Sequence, residues 1–196
     1  MKTFFLFLMV LALLPACLHA QDEDYGYEYL EIGVGDGTHG SFKALINVIV
    51  DDNVFTGGYY YNARRSVNTP TDYSRGLLET YPLQGLSVGV LMYGKTFFVP
   101  AHIRRYTLKG GIALGDYVSC HDFAPGGYGT YRYKSSFTFT GGLILNPCMD
   151  LPIGGAFGFS LGLFSILTPI ESTFGVECNI MIGNVCSPIR RPHYRG

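Results

Sequence analysis

The amino-acid sequence predicts an all-β protein, specifically an eight-stranded antiparallel up-and-down transmembrane β-barrel. Three observations lead to this fold class. Short segments alternate between large apolar residues on one face and glycine, hydroxyl, amide or a rare charged residue on the other. Charged residues make up 15% of the chain, against about 25% in soluble domains. After the first twenty residues no apolar run reaches the length of a membrane-spanning helix, so such a chain crosses a membrane as a closed barrel.

The segment 173–185, TFGVECNIMIGNV, shows the alternation most informatively. One face carries Phe174, Ile180 and other large apolar residues, while Glu177 and Asn179 lie on the opposite face. A soluble barrel would point the apolar face inward. Small and charged residues on the enclosed side are typical of a barrel in lipid. We therefore expect this segment to be the closing strand.

Seven other segments alternate in a similar way, and most are near the roughly 9–11 residues that a tilted membrane strand needs. In chain order the eight predicted strands are Tyr27–Gly35, Ser41–Val50, Val54–Arg64, Leu86–Phe97, Arg105–Ser119, Tyr133–Asn146, Ala156–Leu167 and Thr173–Val185. In the fourth strand, Leu86, Val88, Val90 and Met92 alternate with a set that contains Lys95, and we assign Lys95 to the lumen.

The connections predict which end of the barrel faces outward. An even number of strands puts both ends of the chain on one side. The long loops 65–84 and 120–132 fall on the other side, and the shorter turns 51–53, 98–103 and 147–154 fall on the side of the termini. Long outer loops and short periplasmic turns are typical of bacterial outer-membrane barrels.

The first twenty residues have the features of a secretory signal. Lys2 supplies a basic start, Phe4–Leu14 is an apolar run, Pro15 breaks it, and a small residue, Ala20, stands at the expected cleavage site. We expect cleavage after Ala20, with lipidation at Cys17 as the alternative because LPAC resembles a lipoprotein cleavage box. The predicted division of the chain is 1–20 signal peptide, 21–26 acidic leader, 27–185 β-barrel and 186–196 basic C-terminal tail.

Over Tyr27–Val185 this pattern resembles the small eight-stranded outer-membrane barrel families of Gram-negative bacteria. The resemblance implies export to the outer membrane, contact with its lipids and recognition by its assembly machinery. Those families commonly end on an aromatic residue that the assembly machinery reads. Here the chain continues past Val185 as CSPIRRPHYRG.

An eight-stranded barrel encloses just enough room for side chains, so its inward charges must pair with one another. We predict a lumen charge cluster with a structural role, a plug of salt bridges, and keep a proton or ion path as the alternative. Its predicted members are Glu31, Lys43, Asn47, Lys95, Lys109, Glu177 and Asn179.

Other chemistry has weaker support in the sequence. No cysteine spacing resembles a zinc site, so we expect no metal and no cofactor. Cys148 and Cys186 share the predicted periplasmic rim and are the one disulfide pair considered. A formal net charge of −1 gives no reason to expect nucleic acid. His39 and His102 are expected to lie in solvated turns.

Three function classes remain open at this point. The first is a structural or interaction barrel without catalysis, whose loops 65–84 and 120–132 meet an extracellular partner. The second is an outer-membrane lipid-modifying enzyme of the lipid A deacylase kind, for which Ser119, His121 and Asp122 are the candidate residues. The third is a secreted soluble lipocalin-like binder, which requires a continuous apolar interior.

Overall fold

The computed structural model describes residues 26–71, 73, 81–98, 104–125 and 131–185, and its strands form one closed antiparallel barrel. Each strand pairs with its neighbours in the chain, and the last pairs with the first. This confirms the predicted fold class. The eight strands are β1 (Gly26–Gly37), β2 (Gly40–Val50), β3 (Asn53–Arg65), β4 (Leu83–Phe98), β5 (Arg105–Pro125), β6 (Tyr131–Pro152), β7 (Phe157–Leu167) and β8 (Thr173–Asn184).

The signal peptide with Cys17, most of the acidic leader and the basic tail lie outside the described residues. Within the described residues, no helix is long and apolar enough to cross a membrane.

The pairing register sets the width of the lumen. A row of paired residues that starts at Gly183 and is followed once round the barrel returns to β8 at Thr173, ten residues away. For eight strands this stagger corresponds to a strand tilt of about 40°. A barrel of that size has an interior that side chains fill.

The two faces of the wall are in the predicted orientation on seven strands. Phe137, Phe159 and Ile180 point outward with 72%, 38% and 42% of their surface exposed, whereas Glu177 and Lys109 point inward with 4% and 0% exposed. On these seven strands the outward face therefore carries large apolar residues, and Glu177 and Lys109 lie inside.

The orientation predicted for β4 is wrong. Val88 and Met92 are buried in the lumen with their apolar neighbours on that face, while Leu91, Tyr93 and Lys95 point outward. This strand carries large apolar residues on both faces, so its alternation does not reveal which face is enclosed. The alternation predicts that the face with Ser87, Gly89 and Lys95 is the enclosed one, but this face forms the outer wall.

The hairpin of β5 and β6 is longer than predicted. Residues 120–125, 131–132 and 147–152 belong to strands and not to the predicted loop and turn. Because β7 pairs with β6 only from Leu143 onward, residues 131–142 have no β7 partner. At the rise of a tilted strand, these residues extend roughly 30 Å beyond the end of β7. We call this extension, residues 119–125 and 131–142, the outer arm.

The ladder between β6 and β7 is interrupted at a proline. Pairing passes from Leu145 with Ser165 directly to Cys148 with Gly162. Pro147 has no N–H to donate. The side-chain Nδ2 of Asn146 donates to the carbonyl oxygen of Leu163 at 2.7 Å instead, so an amide side chain replaces the missing backbone donor.

A glycine at the barrel seam allows a first prediction. Gly183 has φ +132°, and a Cβ there would lie 2.6 Å from the carbonyl oxygen of Glu28 on β1. We expect Gly183→Ala to lower the free energy of unfolding by about 1–3 kcal/mol, measured by denaturant unfolding in detergent micelles. Gly154→Ala, where a Cβ would meet nothing within 4 Å, is the control and should leave stability unchanged. Equal effects of the two substitutions would contradict the strained seam.

Candidate functional site

Four charged side chains meet in the middle of the lumen. Glu31 on β1, Lys43 on β2, Lys109 on β5 and Glu177 on β8 are all buried. Each lies on the inward face because of the two-residue period of its strand. We call these four residues the charge quartet.

The quartet joins opposite walls of the barrel. Lys43 Nζ lies 2.6 Å from Glu31 Oε1 and 2.5 Å from Glu177 Oε1. Lys109 Nζ lies 3.1 Å from Glu31 Oε2. Since β5 is four strands from β1 in an eight-stranded barrel, Lys109 reaches across the lumen. Two ammonium groups face two carboxylates, so the quartet is electrically neutral.

The Asn47 amide completes the hydrogen bonding of Glu31, and a hydroxyl in turn bonds to Asn47. Asn47 Nδ2 donates to Glu31 Oε2 at 3.0 Å. Asn47 Oδ1 accepts from Thr56 Oγ1 at 2.7 Å and from Lys109 Nζ at 3.3 Å. Both oxygens of this buried carboxylate therefore have donors, which is the condition for burying charge at tolerable cost.

Glu177 is satisfied in a similar way. Asn146 Nδ2 donates to Glu177 Oε1 at 2.7 Å, and Asn179 Nδ2 lies 3.5 Å from the same oxygen. The Tyr60 hydroxyl lies 3.5 Å from Oε2. Thr56, Tyr60 and Asn146 were not predicted members of the cluster, although their inward parity on β3 and β6 was a signal that could have identified them.

Apolar layers lie on both sides of the polar cluster. Three inward residues of β3 show the order of the layers toward the long loops. Val54 belongs to one apolar layer, Thr56 to the polar groups around the quartet, and Tyr60 to a second apolar layer. The layer on the long-loop side comprises Leu45, Tyr60, Leu86, Val88, Val90, Met92, Ala113, Ile144, Phe164 and Ile166. The layer on the short-turn side comprises Tyr29, Ile49, Val54, Met181 and Val185.

A second buried ion pair closes the short-turn end. Arg105 Nε donates to Asp150 Oδ2 at 2.8 Å, and Arg105 Nη1 donates to the carbonyl oxygen of Val185 at 3.0 Å. Its guanidinium carbon also lies 4.9 Å from the ring centre of Tyr29. Arg105 thus connects β5 and β6 with the seam strands β1 and β8. The sequence reasoning missed this pair because it placed Asp150 in a turn.

A third polar group lies at the long-loop end. His39 Nε2 is 3.3 Å from Glu171 Oε1, and Arg64 Nη2 donates to the same oxygen. His39 is only 3% exposed, so the expectation of a solvated histidine is wrong. Burial lowers the pKa of His39, against the opposing effect of the Glu171 carboxylate. Glu171, from the loop between β7 and β8, holds the turn between β1 and β2 against β3.

The remaining predicted site residues are not brought into one site. Lys95 lies outside the cluster, on the outer wall. Ser119 Oγ is 2.8 Å from Ser136 Oγ, while His121 lies 4.0 Å from exposed Asp122. In the described ranges, no group of three or more histidine, cysteine, aspartate or glutamate side chains is placed to hold a metal ion.

The cysteines differ from the predicted arrangement. Cys148 is buried within β6 and not in a periplasmic turn, and Cys186, its considered partner, lies outside the described residues. The described cysteines 120, 148 and 178 are free, and Cys178 is exposed on the outer wall.

The two long loops pack together where they are described. The ring of Tyr73 stacks on Tyr131 with centroids 5.8 Å apart. Asn68 Nδ2 donates to the carbonyl oxygen of Cys120 at 3.2 Å. These contacts connect the described residues of loop 65–84 to the outer arm.

The fold is similar to that of a barrel whose structure is known. It resembles the crystal structure of the N-terminal β-barrel domain of Pseudomonas aeruginosa OprF, with a TM-score of 0.55 and 8% sequence identity. The alignment covers 82% of this chain and 98% of that domain. No protein-family model matches the chain, and no curated protein matches it in sequence. At this identity the likeness supports the barrel fold alone.

The quartet predicts a charge-balance effect. Lys109→Met leaves the lumen with an uncompensated carboxylate and should lower the free energy of unfolding by about 3–5 kcal/mol. Combining Lys109→Met with Glu31→Gln restores neutrality, so the double variant should recover much of that loss. Denaturant unfolding in detergent micelles measures both. A double variant less stable than Lys109→Met alone would contradict charge pairing as the role of Lys109.

The pair formed by His39 and Glu171 predicts a pH effect at the outer end. The folded state lowers the pKa of His39, whereas in the unfolded chain this histidine has its ordinary pKa of about 6.5. Below about pH 6.5 the unfolded chain therefore binds more protons than the folded chain. Stability should therefore fall as the pH drops from 8 to 5, and His39→Asn should show a smaller fall. His121→Asn, which changes an exposed histidine, should behave as the wild type. An identical pH profile for His39→Asn would refute the prediction.

Proposed function

We propose that this chain is a small outer-membrane β-barrel protein of a Gram-negative bacterium, with a structural or surface-interaction role and no catalysis. The observation that carries the proposal is the inverted distribution of side chains, with an apolar wall outside and a neutral, hydrogen-bonded charge quartet inside. An apolar outer wall of this kind is stable in contact with the hydrocarbon chains of a membrane.

Closure of the sheet supports a membrane location. In lipid an open strand edge leaves backbone N–H and C=O groups without partners, which costs several kcal/mol for each group. The pairing of β8 with β1 removes that edge. The export signal predicted at 1–20 and the fold likeness to the OprF barrel domain agree with an outer-membrane location, where lipids and the assembly machinery are the expected first partners.

The contents of the lumen favour a plug over an ion path. Both carboxylates of the quartet accept hydrogen bonds, and apolar layers lie on either side of it. A permeating ion would have to cross those layers and displace Lys109 from Glu31. We therefore assign the quartet a structural role, as the joint between opposite walls.

The outer arm supports a surface-interaction role. Phe137 and Phe139 on β6 are 72% and 70% exposed, and in the described part of the chain no strand pairs with the β7-facing edge of residues 131–142. Exposed strand edges pair readily with another extended chain. The arm, with loops 65–84 and 120–132, is the surface where we expect an extracellular partner to bind.

The two alternative functions have less support. A lipid A deacylase-like enzyme would need a nucleophile bonded to its base, whereas Ser119 bonds to Ser136 and not to His121. A lipocalin-like binder would need an apolar cavity open to ligand, but the quartet occupies the middle of the lumen.

The proposed location is tested by membrane fractionation and a heat-modifiability gel. The protein should fractionate with outer membranes and migrate differently before and after boiling. Leu91→Arg, in the middle of β4 on the outer wall, should lower the free energy of unfolding in lipid vesicles by about 2–4 kcal/mol. Val67→Arg, in an outer loop, is the control. A protein that stays soluble without detergent, and tolerates Leu91→Arg as well as Val67→Arg, would overturn the proposal.

A further inference from the structure

Lys95 lies in an unusual position for a charged residue. It is exposed on the outer wall, which the proposed function places in lipid, and no carboxylate of the described ranges forms an ion pair with it. A lysine on the lipid face is costly at the bilayer centre and tolerable near an interface, where its ammonium group reaches the headgroups. Lys95 is opposite Asn53 at the start of β3, near the short-turn end.

A groove opens in the wall beside this lysine. It has a volume of about 480 Å³, and its walls are formed by Phe97, Tyr106, Leu108, Leu161 and Leu163. The groove lies at the interruption of the ladder between β6 and β7, where Pro147 and Gly162 add little side-chain bulk. Lys95 is the register partner of Leu108, and both residues are on the outer face, so the lysine side chain starts beside the groove.

We propose that Lys95 and this groove form a binding site for one anionic glycerophospholipid of the periplasmic leaflet. One acyl chain lies in the groove, and the lipid phosphate pairs with the Lys95 ammonium group. The inference rests on the proposed function, because only a barrel in a bilayer brings lipid to this face.

The apolar groove and the lysine beside it together favour an anionic phospholipid as the ligand. The groove is almost entirely apolar and opens toward hydrocarbon, so a chain that fills it restores the van der Waals contacts that the interrupted wall lacks. The basic group at its rim favours an anionic over a zwitterionic headgroup. One lysine near a membrane surface favours anionic lipid by about fivefold.

A tryptophan reporter tests the site, because the chain contains no tryptophan. Phe97→Trp replaces one aromatic residue of the groove with another. The variant is placed in phosphatidylcholine vesicles that contain brominated phosphatidylglycerol or brominated phosphatidylcholine. We expect the anionic quencher to act at an about fivefold lower mole fraction. Adding Lys95→Gln should abolish this difference.

Two controls separate the site from a general effect of charge. Lys134→Gln removes an exposed lysine of the outer arm and should leave the preference intact. Leu30→Trp reports from the outer face of β1, four strands away from β5 at the groove, and should show no preference. Equal quenching by the two lipids at Phe97→Trp, a preference that survives Lys95→Gln, or an equal preference at Leu30→Trp would each overturn the lipid site.

The heat-modifiability gel on the same vesicles distinguishes the two proposals. A barrel that inserts but shows no lipid preference loses only the lipid site. A chain that does not insert overturns the proposed function, and the lipid site with it.

Discussion

The neutralisation of buried charge inside a narrow lumen is the constraint on which this structure depends. Lys109 crosses the barrel to Glu31, and Lys43 joins Glu31 to Glu177. Removing one partner would leave a charge with neither water nor a counter-ion, at a cost of several kcal/mol. The quartet therefore holds opposite walls at one separation and one register. A slip of β8 by a single residue would turn Glu177 out into the apolar exterior.

The same constraint organises the ends of the barrel. Arg105 seals the short-turn end through Asp150 and the carbonyl of Val185, and Glu171 joins His39 and Arg64 at the long-loop end. Apolar layers separate these polar groups from the quartet. A lumen filled in this way leaves recognition to the parts outside it, which are the outer arm and the lipid-facing wall.

The sequence was most informative where the two faces of a strand differ in chemistry. On β8 the alternation around Glu177 identified the enclosed face, and the structure agrees. On β4 both faces are apolar, so nothing local distinguished Lys95 from an inward lysine. The extension of β5 and β6 was missed because glycines and Pro147 indicated turns. Asn146 compensates for that proline by bonding to Leu163 on the next strand, a contact that chain order does not show.

The sequence by itself determined the number of strands, the closed barrel, the enclosed face of seven strands and the identity of the quartet. The reason is that alternate residues of a strand point to opposite faces, so their chemistry shows which face is enclosed and which meets the exterior. Only the tertiary structure decided which charges meet, which wall Lys95 occupies and how Arg105 joins the seam. Those outcomes depend on strand tilt and on the ten-residue stagger of the closed barrel, which bring together side chains far apart in the chain.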